Sequence, residues 1–180
     1  MSKIEIIKLP DLRFNEYSLD DFIRHQVVSE CWRNIDGEWK LLPIAFTEDW
    51  GLEKRREEAA EILDRINRDL IAFAAVENEK IIGYITVVTK RIGSRKQYLQ
   101  LEAFEVSEPY RGRGIGKQLF THACEKAKEM GAEKLYISAH SSKESQAAYK
   151  ALGCVHVQEI IRCIADKEPC DVQLEYVLKI

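Results

Sequence analysis

The spacing of apolar residues divides the chain into strand-like and helix-like segments. Residues 4–9 have the pattern of a short first strand, which Pro10 ends. Residues 18–21 have the spacing of a capping box. Apolar residues then recur at helical intervals, at Phe22, Ile23, Val27 and Cys31. The first 31 residues are therefore predicted to form a strand and then a helix.

The middle of the chain changes from helical to strand-like spacing. A second helix is predicted near residues 51–68, with a charged face that we interpret as solvated. Two β-rich runs follow at residues 70–76 and 81–89, and the four polar residues between them indicate a hairpin. Residues 90–97 form a basic loop.

A strand–helix–strand unit comes next. Residues 98–106 are apolar and β-rich, and a helix is predicted over residues 114–130, where Gly131 is well placed to end it. Residues 134–140 form the following strand. Because a strand, a crossover helix and a second strand give parallel pairing, these two strands are expected to be parallel neighbours.

The last third is predicted to hold one short helix and two strands. Ser141 and Ser142 begin a segment with capping-box form, and the helix ends near Gly153. The final strands are expected over residues 154–164 and 171–179. The whole chain, residues 1–180, then reads as a single α/β domain with about seven strands in one mixed, mostly antiparallel sheet and four helices.

Composition narrows the function classes. Apolar residues make up 46% of the chain and the net charge is −3, so no basic face for nucleic acid is expected. No apolar run approaches the ~20 residues that cross a membrane, and the charged start is unlike a signal peptide. The five cysteines form no C-x-x-C pair, which argues against a disulfide framework or a zinc site. A cytoplasmic protein without a metal is the expectation.

The segment Arg111-Gly112-Arg113-Gly114-Ile115-Gly116 carries the strongest chemical signal. Glycines allow close backbone approach to a ligand, and a helix start offers unpaired N–H groups, so the segment suits an anion such as a pyrophosphate. A Walker loop is excluded because Gln118 stands where Ser or Thr is needed. A dinucleotide fingerprint fits poorly because the third glycine comes one residue early.

Arg111-x-x-Gly114-x-Gly116 resembles the R/Q-x-x-G-x-G/A signature of the GNAT (GCN5-related) N-acetyltransferase family. Residues 104–110 and 145–154 also resemble the family, and the strong match covers residues 98–154. The resemblance implies acetyl-CoA between a splayed pair of parallel strands, with backbone groups of Phe104 and Val106 on its pantetheine arm. Its pyrophosphate would be held by the backbone of Arg111, Gly112, Arg113, Gly114, Ile115, Gly116 and Lys117.

Acetyl transfer to an amine needs a proton acceptor and a proton donor. Glu102 and Glu105 are the carboxylates inside the strand, and three residues apart they should face opposite sides. The resemblance favours Glu102, because similar enzymes often carry a carboxylate at that position, although a water chain is an alternative. It also implies Tyr149 as proton donor and Ser142 as a pantetheine contact. Ser142 has a second interpretation as a helix cap, and His140 is a further candidate for titration near neutral pH.

The sequence says least about the acceptor substrate and its pocket. The resemblance implies a pocket formed by the first two helices, the loop between them and the final hairpin. Aromatic and acidic residues in that loop suit a cationic amine of a small molecule or peptide, and the candidates are Trp32, Asp36 and Trp39. Two alternatives remain: a non-catalytic acyl-CoA sensor, or an acyltransferase with another donor or a hydroxyl acceptor. Family members often pair through their last strands, which makes a homodimer one expectation. The full implied activity is direct transfer through a tetrahedral intermediate.

Overall fold

The computed structural model of the chain describes residues 3–178. The strands are β1 (Glu5–Lys8), β2 (His25–Ile35), β3 (Glu38–Asp49), β4 (Leu70–Glu77), β5 (Lys80–Val88), β6 (Tyr98–Val106), β7 (Lys134–Ala139), β8 (Val155–His156) and β9 (Val172–Val177). The helices are α1 (Leu52–Arg65), α2 (Ile115–Glu129), α3 (Lys143–Leu152) and α4 (Arg162–Ala165), with a short 3₁₀ turn at Glu108–Tyr110.

The main sheet confirms the predicted α/β fold. Its seven strands lie in the order β1-β4-β5-β6-β7-β9-β8, and β6 and β7 are the parallel pair. Parallel pairing runs from Tyr98 opposite Lys134 to Leu101 opposite Ile137 and stops there. Since β6 continues to Val106, its last five residues separate from β7. The two strands therefore splay apart at their carboxyl ends.

Helices cover both faces of this sheet. α2 buries Leu119, Phe120 and Ala123 in a cluster with residues of β5, β6 and β7. α1 buries Ala59 and Ile62 in a second cluster on the other face. Both helices bury one apolar stripe, as surface helices of a two-sided α/β domain do. β4 and β5 contribute buried residues to both clusters and are thereby covered on both faces.

The predicted helix over residues 22–31 is wrong. Residues 25–31 belong to β2, which pairs with β3 in a separate two-stranded hairpin, and residues 22–24 precede it outside any helix. Residues 18–21 form turns instead of a cap, with the Asp20 and Phe22 N–H groups bonded to the carbonyls of Tyr17 and Leu19. The hairpin turns at Asp36-Gly37, both at positive φ (52° and 87°). An Asp-Gly pair between two strands is a strong hairpin signal, and it outweighs the helical spacing upstream.

The predicted strand over residues 154–164 is also wrong in most of its length. Only Val155 and His156 pair with β9, and α4 follows at Arg162–Ala165. α4 places Ile164 against the buried rings of Tyr98 and Tyr136. This packing competes with continued strand pairing and ends β8. β9 confirms the final strand over its described part; position 179 lies outside the described residues.

The expectations about membrane segments, cysteines and metal sites can be compared with the described residues, 3–178. No helix in this part of the chain is long and apolar enough to span a membrane. All five cysteines are free thiols, and burial raises the pKa of Cys124 to about 12, so this thiol stays protonated at neutral pH. Within the described range, no group of three or more His, Cys, Asp or Glu side chains is arranged to hold a metal ion.

Candidate active site

A cleft of about 1100 Å³ opens where β6 and β7 separate. The last residues of β6 form its floor, and the turn before α2 and one side of α3 line one end. The base of the β2–β3 hairpin and α1 line the other end. Residues from five distant segments thus meet around the end of one strand, which is where crevices of splayed α/β sheets bind ligands.

The glycine-rich turn presents its backbone to this cleft. Gly112 and Gly114 have φ of 76° and 77°, a region that favours glycine, and open space lies around both. The first N–H of the helix with a carbonyl acceptor is that of Gln118, which bonds to Gly114 at 3.2 Å. N–H groups before it are the unpaired donors of a helix start. Gly116 lies close to Phe104, where an added Cβ would approach the ring to 3.4 Å.

The two arginines of the motif have other partners than an anion. Arg111 donates to the carbonyl of Val106 at 3.0 Å and to that of His25 at 2.8 Å. Arg113 pairs with Glu77 at 2.8 Å and lies over the ring of Tyr110. Arg111 therefore ties the turn to β6 and to the hairpin. The two arginines are therefore engaged by protein groups, and both Arg111 and the exposed Lys117 line the cleft.

A β-bulge at Glu102 changes which side of the sheet the later side chains of β6 lie on. Thr86 of β5 pairs with Ala103 and Val87 pairs with Leu101, so Glu102 has no partner in this ladder. Leu101 and Phe104 pack in the same cluster although three residues separate them. The bulge shifts the alternation by one residue. The expectation that Glu102 and Glu105 face opposite sides is therefore wrong, and both line the cleft.

The two carboxylates have different surroundings. Glu102 is exposed and accepts a 2.6 Å bond from Arg65. Glu105 is more enclosed, and its Oε2 lies 2.9 Å from Nε of Arg24. Burial raises the pKa of Glu105, and the guanidinium of Arg24 opposes that shift. Glu105 is the carboxylate that combines enclosure with a raised pKa.

Arg24 holds the acidic centre together. Its side chain is only 9% exposed and lies between two carboxylates, Glu105 and Glu48, with Nη2 donating to Glu48 at 2.9 Å. Glu48 also lies 3.4 Å from Nε2 of His140. One buried cation thus joins the hairpin base to β6. A buried charge needs such partners, because an unpaired one is costly.

Tyr149 lies across the cleft from this centre, on α3. Its ring packs edge-on against Phe104, with centroids 6.1 Å apart. Burial raises the pKa of Tyr149, and the charge of Glu105 contributes to the shift. The hydroxyl is therefore protonated at neutral pH and available as a proton donor.

Ser142 is the N-cap of α3 and is fully buried. Its hydroxyl oxygen accepts from the Ser145 N–H at 3.2 Å and from Nε2 of Gln26 at 3.0 Å. These contacts match the helix-cap interpretation. Ser142 does not line the cleft, so the structure gives no support for a pantetheine contact from its side chain.

Comparison with known proteins identifies the family. The model of the acetyltransferase (GNAT) family matches residues 35–154, two thirds of the chain. The chain belongs to this family.

Relatives agree with this assignment. The chain is 30% identical over 83 residues to the uncharacterized N-acetyltransferase YjgM of Escherichia coli (strain K12), covering 46% of this chain and 49% of that protein. It is 32% identical over 93 residues to the N-alpha-acetyltransferase MAK3 of Arabidopsis thaliana, covering 50% and 47%. The chain thus spans about half the length of each of these curated relatives.

Solved structures share the fold over nearly the whole chain. Nourseothricin acetyltransferase superimposes with a TM-score of 0.71 at 16% identity, covering 98% of this chain and 99% of that one. A putative streptothricin acetyltransferase from Bacillus anthracis str. Ames, in complex with acetyl coenzyme A, gives 0.68 at 18% identity and 99% coverage of both chains. At these identities the likeness shows the GNAT fold.

The hairpin places the expected acceptor residues away from the GNAT cleft. Trp32 and Trp39 pack against the main core, and Trp39 stacks on His156 at 5.1 Å. Asp36 is exposed in the hairpin turn. None of the three lines the cleft, so the geometry gives no support for placing them in the acceptor pocket. That prediction depended on a loop between two helices, and a β-hairpin occupies this part of the chain.

Other residues, which the sequence did not single out as acceptor groups, line the acceptor end. They include Glu58 on the α1 side, and Asp171, which accepts from Ser138 at 3.0 Å on the β7 side. Trp50, which belongs to the aromatic and acidic segment that the sequence did indicate, also lines this end. Glu58 accepts from the buried Tyr84 hydroxyl at 3.2 Å. The charged face of α1 was interpreted as solvated, and nothing in that stretch of sequence distinguishes Glu58 from the exposed Glu57.

Proposed function

We propose that this chain transfers an acetyl group from acetyl-CoA to a primary amine. The observation that carries the proposal is the cleft itself, which joins an open glycine turn to an enclosed carboxylate and holds a protonated tyrosine across from that carboxylate. Membership of the GNAT family supports the same reaction class. The similar B. anthracis protein was solved with acetyl coenzyme A.

The residues at the turn fit the phosphates of CoA. Unpaired N–H groups over residues 112–117 and the exposed Lys117 provide donors and positive charge. The edge of β6 beyond Leu101 is free of β7 and can pair with the amide groups of a pantetheine arm. The carbonyl of Val106 already accepts from Arg111, so we assign this pairing chiefly to the other backbone groups of residues 102–106.

Glu105 is assigned as the proton acceptor. A free alkyl ammonium has a pKa near ~10, so it must lose a proton before its nitrogen can attack. Glu105 lies in the cleft with a pKa raised towards the working range, whereas Glu102 is exposed and bound to Arg65. The geometry therefore favours Glu105 over Glu102, the reverse of the preference that the family resemblance implied.

Tyr149 is assigned as the proton donor. Acetyl-CoA supplies the acetyl group as a thioester. Glu105 takes the first proton from the ammonium, and the nitrogen then forms the new N–C bond. The nitrogen gives its second proton to water, and as the C–S bond breaks Tyr149 donates its hydroxyl proton to the leaving sulfur. Exchange with water then restores both residues, so protons balance over one turnover.

An amine panel with a thiol-release assay tests this proposal. The panel contains nourseothricin, streptothricin, an aminoglycoside and peptides with free N-termini, the acceptors suggested by the names of similar proteins. We expect amine-dependent thiol release and a product heavier by one acetyl group. If acetyl-CoA binds but no amine releases thiol, the chain is an acyl-CoA sensor. If acetyl-CoA does not bind, the assignment of the glycine turn is wrong.

A further inference from the structure

The α1 side of the cleft already holds an ammonium group. Nζ of Lys54 lies 3.7 Å from Oε2 of Glu58 and 5.7 Å from the ring centroid of Trp50. A carboxylate beside an aromatic face is a suitable environment for an alkyl ammonium, through charge pairing and cation–π attraction. All three side chains line the cleft. Lys54 therefore shows, within this chain, what this corner can bind.

Glu58 is held in place for such a contact. Its side chain is 17% exposed, and the fully buried Tyr84 donates its hydroxyl to it at 3.2 Å. Burial raises the pKa of Glu58, because the carboxylate is partly removed from water and the charge of Lys54 only partly opposes that shift. A cation that approaches more closely than Lys54 would stabilise its charged form.

The other carboxylates of this region are already compensated. Glu102 has Arg65 at 2.6 Å. Glu48 and Glu105 share Arg24, each at 2.9 Å. The partner of Glu58 is different, because Lys54 is a full 3.7 Å away and 50% exposed. A long, exposed lysine side chain can move into water at little cost, since its ammonium group is already largely hydrated.

This corner is a neighbour of the proton acceptor. Tyr84 of β5 is the cross-strand partner of Glu105 on β6, and its hydroxyl reaches Glu58. The charges of both Glu58 and Glu105 act on Tyr84. Tyr84 is therefore a neighbour of both carboxylates, through its hydroxyl at Glu58 and through strand pairing at Glu105. We therefore expect an acceptor with two nitrogens to place one at each carboxylate.

We propose that Trp50 and Glu58 form a subsite for a second cationic group of the acceptor, which displaces Lys54 while the reacting amine lies at Glu105. The inference rests on the proposed acetyl transfer and names its substrate class, amines that carry a second positive charge. Asp171 on the β7 side is the rival carboxylate, because it has the neutral Ser138 as its donor.

Matched amines test the subsite. Putrescine is compared with butylamine, and cadaverine with pentylamine, since each pair differs by the second ammonium. In the unmodified chain we expect kcat/KM to favour the diamines about tenfold or more, because charge-assisted bonds are strong in a partly buried site. Glu58→Gln should abolish this preference, because it should lower kcat/KM for the diamines much more than for the monoamines. Glu57→Gln, an exposed neighbour on the same helix, is the control and should keep the preference.

Lys54→Gln gives a prediction of opposite sign. Because Lys54 competes for the corner, its removal should lower KM for the diamines several-fold without lowering KM for the monoamines. Damage to α1 would not improve binding of one amine class. The inference is overturned if the unmodified chain treats both members of a pair alike, if Glu58→Gln lowers both equally, or if Asp171→Asn alone removes the preference.

Calorimetric titration of putrescine separates this inference from the proposed function. Binding that requires Glu58 without any turnover would refute acetyl transfer and retain the subsite. Turnover of monoamines and diamines with no dependence on Glu58 would refute the subsite and retain acetyl transfer. Loss of both turnover and Glu58-dependent binding would overturn the two together.

Discussion

The two ends of the cleft are built from different parts of the chain. The glycine-rich end comes mainly from one continuous stretch, the turn at residues 111–117, with one side of α3 beside it, and the turn offers mainly backbone groups. The acceptor end comes from segments far apart in sequence and offers charged side chains, with Arg24 joining Glu48 to Glu105. A backbone site depends on local conformation, whereas a side-chain site depends on how distant elements pack.

The difference implies that the two ends should respond to substitution in separate ways. Changes at the glycine turn should alter affinity for acetyl-CoA through backbone strain. Changes at the acidic centre should alter proton transfer and acceptor preference while leaving CoA binding intact. The four substitutions below test this separation, from the largest expected effect to the smallest.

Glu105→Gln should have the largest effect. Removing the proposed proton acceptor is expected to lower kcat/KM for the amine by about 10²–10⁴-fold, the usual contribution of general base catalysis. Affinity for CoA, measured by calorimetry, should stay unchanged. Glu102→Gln is the matched control on the same strand and should change kcat/KM by about threefold or less, since its pair with Arg65 is exposed. Equal losses in both variants would contradict the assignment.

Tyr149→Phe should lower kcat by about tenfold to a hundredfold, less than Glu105→Gln because water can supply a proton to the leaving sulfur. The ring keeps its packing against Phe104, so thermal stability and CoA affinity should be preserved. Steady-state kinetics together with a thermal melt check both parts. A kcat that does not change would remove Tyr149 from the mechanism.

Gly114→Ala should raise KM for acetyl-CoA by about tenfold. Gly114 has φ of 77°, and a residue with a Cβ in the left-handed region costs roughly 1–2 kcal/mol. Gly116→Ala is the comparison, because its φ is not in that region and the new Cβ would contact Phe104 at an ordinary 3.4 Å. It should change KM by about twofold. The reverse order would mean that the turn does not bind through its backbone.

Asp36→Asn should have the smallest effect. Asp36 occupies the hairpin turn with φ of 52°, a conformation that asparagine also adopts readily. It lies outside the cleft, so kcat/KM for the amine should remain within about twofold of the unmodified chain. A loss of tenfold or more would return Asp36 to the acceptor site.

Local signals predicted the glycine-rich end well. The motif at 111–116, the helix that follows it and the capped helix before Gly153 depend on residues close in sequence, and α2 and α3 lie where they were expected. The parallel pairing of β6 with β7 followed from the crossover rule. These features were accessible because glycine conformation, capping and connection handedness are short-range.

The residues of the acceptor end could not be predicted from local sequence patterns. The bulge at Glu102 exists only in the pairing of β6 with β5, so strand periodicity alone gave the wrong face. Glu58 differs from its neighbour Glu57 by tertiary contacts and not by sequence pattern. The hairpin around Asp36-Gly37 did carry a local signal, and a competing capping-box spacing obscured it. Charge compensation between distant segments has no short-range signature.

The pH dependence of kcat/KM for the amine tests the central assignment most directly. At a pH well below the amine's pKa of ~10, the acceptor is an ammonium whose proton must be removed. If an ionised base removes it, kcat/KM should rise until that base is fully ionised and should then stay constant. Burial raises the pKa of Glu105 above its ordinary value. The kcat/KM of the unmodified chain and of Glu102→Gln should therefore rise with pH and become constant once Glu105 is ionised. Glu105→Gln should show no plateau and keep rising towards the pKa of the amine. An unchanged plateau in Glu105→Gln, or its loss in Glu102→Gln, would contradict the account.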